Sequence, residues 1–161
     1  MTIEPEDERA EREERVERWA DLPVPPDEAW PRIGGFLSIV DWHPALTSGE
    51  TLEIDGRLHR CVLTTYGAPI LERLEEEGER LLRVSVVESL LPLDAHEATL
   101  RCIARPAGCR VFWTATFRSP SPRAFEIIDN IHRIGLAALA ARYGGTEGDA
   151  AACASTYARA S

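Results

Sequence analysis

Three side chains in this sequence combine an ionisable group with an apolar setting. His96 opens the run His96-Glu97-Ala98-Thr99-Leu100-Arg101-Cys102-Ile103-Ala104-Arg105. Alternate residues of a strand share a face. His96 therefore shares a face with Ala98, Leu100, Cys102 and Ala104, which is apolar apart from it. A histidine at the margin of such a surface titrates near neutral pH and can exchange a proton there. Glu88 ends the row Leu82, Val84, Val86 in the same way, and Glu72 follows the turn Tyr66-Gly67-Ala68-Pro69. A carboxylate aimed into apolar surroundings must be paired, hydrated or protonated. A raised pKa would fit it for general acid or base work. Plainer readings stand beside these: His96 as a half-exposed ring bonded to a loop carbonyl, and the two glutamates as surface acids beside Arg73 or Arg83.

The stretch Asp41-Trp42-His43-Pro44 raises a different question. Connectors are usually built from Gly, Asn, Asp and Ser, whereas bulky amphipathic loops often carry function. Proline after His43 biases that residue to extended backbone and ends a short helix. This directs one of Trp42 and His43 inward and the other outward. Trp42 is the expected inward residue, and His43 the one that holds the turn by hydrogen bonding.

Composition narrows the partners. The formal net charge is −9, and all 18 basic residues are arginine. Nucleic acid is excluded as a partner, since its recognition needs clustered positive charge, and an anionic membrane surface is excluded for the same reason. Cys61, Cys102, Cys109 and Cys153 form no C-x-x-C pair. They read as buried free thiols of a cytoplasmic protein, without a metal. The charged start does not resemble a signal peptide, and no apolar run reaches the ~20 residues of a membrane span.

The elements that must position these groups follow from hydrophobic period and turn residues. Residues 1–14 are a charged arm, 15–144 one domain and 145–161 a disordered tail. Val16–Pro23 reads as a strand. Pro25-Pro26-Asp27-Glu28 opens a helix, with proline in the first turn and acids at the positive dipole end. Gly34-Gly35 closes it, and Phe36–Val40 forms a second short helix. Six strand-like runs follow, namely Thr51–Ile54, Leu58–Thr65, Ile70–Glu75, Arg80–Ser89, His96–Arg105 and Arg110–Arg118. The short turns between them favour an antiparallel meander. Phe125–Tyr143 then reads as a long helix stopped by Gly144-Gly145.

Four pieces in this order resemble the START-like, helix-grip (SRPBCC) superfamily, in its polyketide cyclase/dehydrase and lipid-transport branch. They are Pro26–Trp30 with Phe36 and Asp41–Pro44; Gly67–Glu75; Glu88–Pro92 with His96–Leu100; and Val111–Phe117 leading to Gly135–Leu139. The resemblance covers about residues 15 to 143. It implies an α+β helix-grip fold: a seven-stranded curved antiparallel sheet around the C-terminal helix, with two short helices after the first strand. It also implies a hydrophobic cavity between sheet and helix that takes a small hydrophobic molecule. On that expectation Glu72 and His96 face the cavity as an acid/base pair, and Tyr66 lies in a gate loop. Trp42, its indole N–H free for a ligand oxygen, and Trp113 form walls. Ile127, Asn130 and Ile131 face inward from the helix, Asn130 being the polar exception, and Glu88 is a further ligand contact. Gly135 makes room for ligand or sheet. The family often has tyrosine where His96 stands and an aromatic residue where Val84 stands.

The resulting expectation is a cyclase/dehydratase-type enzyme without cofactor, monomer or homodimer, acting on a polyketide-like or other apolar oxygenated molecule. The alternatives are a non-catalytic carrier of a small hydrophobic ligand, or an adaptor whose groove receives a partner segment. The scaffold itself does not decide between them.

Overall fold

A computed structural model describes residues 5–149 of the chain. Helix α1 (Glu6–Glu11) lies within the charged arm and is followed by β1 (Glu14–Leu22), α2 (Pro26–Ile33) and α3 (Ile39–Trp42). The meander is β2 (Leu46–Ile54), β3 (Arg57–Thr64), β4 (Pro69–Gly78), β5 (Leu81–Glu88), β6 (Asp94–Arg105) and β7 (Gly108–Arg118), and α4 (Ala124–Tyr143) and β8 (Thr146–Asp149) complete it. The strands form one antiparallel sheet in the order β2-β3-β4-β5-β6-β7-β1-β8. This is the expected helix-grip architecture, α+β with a curved open sheet around a long C-terminal helix.

Three expectations are corrected. The sheet has eight strands rather than seven. The extra one, β8, lies in the stretch expected to be a disordered tail; residues 150–161 of that stretch lie outside the described residues. Gly144 ends α4 in the left-handed conformation (φ 73°), and Gly145 then passes so close to β1 that a Cβ would meet the Asp21 carbonyl oxygen at 1.9 Å. Two glycines thus turn the chain onto the free edge of β1, and a segment without strand propensity is recruited by backbone pairing. The second short helix is Ile39–Trp42, later than expected.

The meander is built from local chemistry. Asp55 and Gly56 have φ of 51° and 74°, which is the backbone of a tight hairpin. The inner sheet face carries the buried rows Ala98, Leu100, Cys102 on β6 and Val111, Trp113, Ala115, Phe117 on β7. Helix α4 packs chiefly against β1 and β8. A two-pronged ion pair fixes it there, Arg18 Nε and Nη2 donating to the Asp129 carboxylate at 2.7 and 2.9 Å. The other half of the sheet curves away from α4, and the space between them is the cavity described next.

Candidate functional site

A cavity of about 180 Å³ lies between α4 and the inner face of β3–β7, with α3 at one side. Its lining is largely apolar, but Arg60, Glu72, His96 and His132 interrupt it on the sheet and helix walls, and Thr64 and His43 also border it.

Arg60 on β3 stands directly opposite Glu72 on β4. Its Nε donates to Glu72 Oε1 at 3.0 Å, its Nη1 donates to the Phe36 carbonyl, and the guanidinium lies 5.0 Å from the Phe36 ring centroid. The side chains are 3% and 12% exposed. Of the three fates open to an inward carboxylate, Glu72 takes the first and is paired. Removing two charges from water is costly even when they meet, so this pair is expensive for a wall that aliphatic residues could have filled. Arg60 Nη2 and Glu72 Oε2 take no part in these bonds.

His96 is placed by a strained bulge. The β6–β7 register slips between Asp94 and Glu97, and Ala95 sits there at φ 51°, a conformation costly for a residue with a Cβ. Such bulges re-aim side chains. His96 is 7% exposed, so the half-exposed reading is corrected. Its Nδ1 accepts the Val86 backbone N–H at 3.1 Å, which leaves Nε2 as the protonated nitrogen of a neutral ring. Burial holds its pKa below the ordinary value, against the upward pull of the Glu72 and Glu97 carboxylates.

The helix side is aromatic. Trp113 on β7 stacks on His132 of α4, with centroids 4.0 Å apart and planes 8° from parallel, and meets Trp42 edge-on at 5.5 Å and His43 at 5.8 Å. Gly135 makes this cluster possible. A Cβ there would lie 2.6 Å from His43 Cδ2 and 2.9 Å from both Trp113 Cζ3 and Trp42 Cζ3. The room that Gly135 makes is therefore taken by three rings, of which Trp113 belongs to the sheet. His43 is the anticipated turn-holder: Nδ1 accepts the Ala45 N–H at 3.1 Å, and Nε2 donates to the Ile131 carbonyl at 2.8 Å. Both Trp42 and His43 are buried, so the expectation that one points outward is corrected. The Trp42 N–H is also committed, donating to the Ile33 carbonyl at 3.1 Å, and is not free for a ligand.

Seven of the nine expected site residues border the cavity, namely Trp42, Tyr66, Glu72, His96, Trp113, Ile127 and Ile131. Tyr66, 79% exposed, and Leu90, 80% exposed, stand at its mouth on the β3–β4 and β5–β6 loops. Glu88 and Asn130 are corrections. A register shift between Leu71↔Glu88 and Glu72↔Val86 inserts an extra residue into β5, so alternation breaks and Glu88 turns out to solvent. Asn130 is exposed and accepts a hydrogen bond from Arg133. The inward stripe of α4 is centred on Ile128, His132 and Gly135, and Asn130 falls nearly opposite it. Sequence reasoning missed Arg60 and His132. Counting back the β3–β4 hairpin from its turn would have set Arg60 opposite Glu72. Among the described residues no cluster of three or more His, Cys, Asp or Glu is arranged to hold a metal ion, and no helix is long and apolar enough to cross a membrane. The described cysteines are free, and burial pushes the Cys102 thiol up to about 12.

Residues 13–144 match the model of a family described as polyketide cyclase / dehydrase and lipid transport. No curated protein matches the sequence. Among solved structures, an uncharacterised protein from Bacillus thuringiensis is 25% identical, with 82% of this chain and 98% of that one covered and a TM-score of 0.71. A Thermobifida fusca protein is 29% identical over 82% and 91% of the two chains, with a TM-score of 0.64. The Zhui aromatase/cyclase from Streptomyces sp. R1128 shares the fold, at 16% identity, 79% and 88% coverage and a TM-score of 0.62.

Proposed function

The chain belongs to the polyketide cyclase/dehydrase and lipid-transport family, and from that premise we propose that it is a cyclase/dehydratase-type enzyme for an apolar, oxygenated small molecule. One observation carries the reading: the Arg60–Glu72 ion pair, its side chains 3% and 12% exposed, and the buried His96 ring share the wall of one largely apolar cavity. Titratable groups drawn together at the wall of an apolar cleft are candidates for a functional site.

Arg60 Nη2 and His96 Nε2 are two donors for a carbonyl oxygen, and they oppose the negative charge that grows there on enolisation. Glu72 Oε2 accepts the proton from the carbon beside that carbonyl. The enolate carbon then bonds to a second carbonyl carbon of the same folded substrate, whose oxygen takes the proton held by Glu72 and so returns Glu72 to the carboxylate form. For dehydration, Glu72 removes a second carbon-bound proton and returns it to the departing hydroxyl, which leaves as water. The apolar remainder of the cavity holds the chain folded and excludes bulk water.

A linear 1,5-diketone bearing an aryl group is a suitable surrogate, since aldol closure with loss of water gives a cyclohexenone that absorbs in the ultraviolet. We expect Glu72→Gln and His96→Ala to lower turnover by about 10²-fold or more while changing the Kd for the diketone only a few-fold. Unchanged turnover in both variants overturns the acid/base assignment. A carrier reading has one observation in its favour, that Glu72 is already engaged by Arg60. Tight binding of the surrogate with no conversion by the wild-type protein selects it.

A further inference from the structure

One polar group at the cavity has no part in the chemistry above. His132 lies on the inward stripe of α4, 3% exposed, and borders the cavity. Its Nδ1 is 3.2 Å from the Trp113 carbonyl oxygen. A carbonyl only accepts, so Nδ1 carries the ring hydrogen. Nε2, on the far side of the ring, is then a lone-pair acceptor. It has no hydrogen-bond partner among the described residues, yet it is not sealed from accessible space. The ring cannot turn to find one, because it lies flat on Trp113 at 4.0 Å.

We propose that His132 is a specificity-determining residue whose Nε2 accepts a hydrogen bond from a hydroxyl or N–H at the helix end of the ligand, across the cavity from the oxygen held by Arg60 and His96. The inference rests on the ligand-binding reading of this cavity. A buried acceptor without a donor is unfavourable, and a ligand that supplies the donor recovers that free energy. A site of this kind rejects an analogue lacking the donor more strongly than an apolar pocket rejects a missing methylene. It also disfavours an anion at that end, since lone pair would face negative charge. Burial supports the assignment: it pulls the His132 pKa down to about 3, so the ring stays an acceptor at physiological pH.

The test uses two probes of nearly equal shape, 4′-hydroxyacetophenone and 4′-methylacetophenone. Both present an acetyl carbonyl to the Arg60–His96 wall, and only the first carries a donor at the opposite end. Calorimetric or NMR titration of the full chain should show the hydroxyl probe binding about tenfold more tightly. His132→Phe keeps an aromatic ring against Trp113 and removes the acceptor, so it should bring the ratio close to one. Long-range ¹H–¹⁵N correlation follows the ring directly. Nε2 should resonate as an unprotonated nitrogen and shift upfield with the hydroxyl probe but not with the methyl probe. Equal binding of both probes to the wild type, or a ratio that survives His132→Phe with Nε2 unmoved, overturns the inference and leaves the ligand-binding reading intact. If His132→Phe does not fold, the Nε2 shift in the wild-type protein decides. Failure of both probes to bind overturns the cavity reading, and this inference with it.

Discussion

The two walls of the cavity hold their polar groups by opposite means. On the sheet side, Arg60 and Glu72 form an ion pair, and the Phe36 carbonyl and ring hold the Arg60 guanidinium. On the helix side, His43 and His132 are kept neutral by burial and are fixed by carbonyl bonds and ring stacking against Trp42 and Trp113. His96 stands between the regimes, neutral through burial yet drawn upward by Glu72. One pocket thus presents charge along one side and proton-neutral, orienting groups along the other. A molecule with oxygens at both ends and an apolar body satisfies both.

Breaking the sheet wall should have the largest effect. Arg60→Met leaves Glu72 facing an apolar cavity without its counter-charge, and we expect a loss of about 3–5 kcal/mol in urea unfolding. Adding Glu72→Leu should recover most of it, because an ion pair replaced by well-packed apolar side chains is often close to neutral. If Arg60→Met alone is benign, the pair is not desolvated and the contrast between the walls collapses. The helix wall should break by crowding. Gly135→Ala gains about 1 kcal/mol of helix propensity, but its methyl enters the space of three rigid rings. Overpacking of this kind costs about 1–3 kcal/mol beyond that gain, with a fall in melting temperature to match.

The walls should also part on pH. The unfolded chain binds a proton at His132 below about pH 6.5, whereas the folded chain resists it down to about 3. The unfolded state therefore holds more protons through that window, and stability present above pH 6.5 is lost as pH falls. From pH 7 to 5.5 this amounts to about 1 kcal/mol from His132, with His43 and His96 acting in the same direction. His132→Phe should flatten the slope by its share, as read from urea midpoints at the two pH values. The smallest effects belong to residues outside both walls. Glu88→Gln and Asn130→Ala should change stability by no more than about 0.5 kcal/mol and leave probe binding unaltered.

What could be read beforehand follows the same division. Strand alternation was enough for the meander and for His96, because turn residues punctuate every hairpin and period two is unambiguous there. It failed at Glu88, since a single-residue bulge reverses the face of all that follows it, and no residue type marks that bulge. Helix α4 is apolar around more than half its circumference, so Ile127, Ile131 and Ile134 compete with Ile128, Leu136 and Leu139 to define the inward stripe, and the pattern alone favours Asn130 over His132. Arg60 was invisible to pattern reading because an arginine in a strand is ordinarily a surface residue; only the cross-strand register reveals it as the counter-charge of Glu72. The strand β8 depends on the left-handed turn at Gly144 and on Gly145 meeting the backbone of β1, a contact that no local propensity encodes.

If the two walls form one binding site, a single ligand touches both at once. Intermolecular NOE measurements on the protein with 4′-hydroxyacetophenone test it directly. We expect contacts from the acetyl methyl to Val84 and Val86 on the sheet and from the ring protons beside the hydroxyl to Ile127, Ile131 and His132 on the helix. Contacts confined to the outer face of the sheet, at Ile103 or Phe112, or none to the cavity at saturating probe, would contradict it.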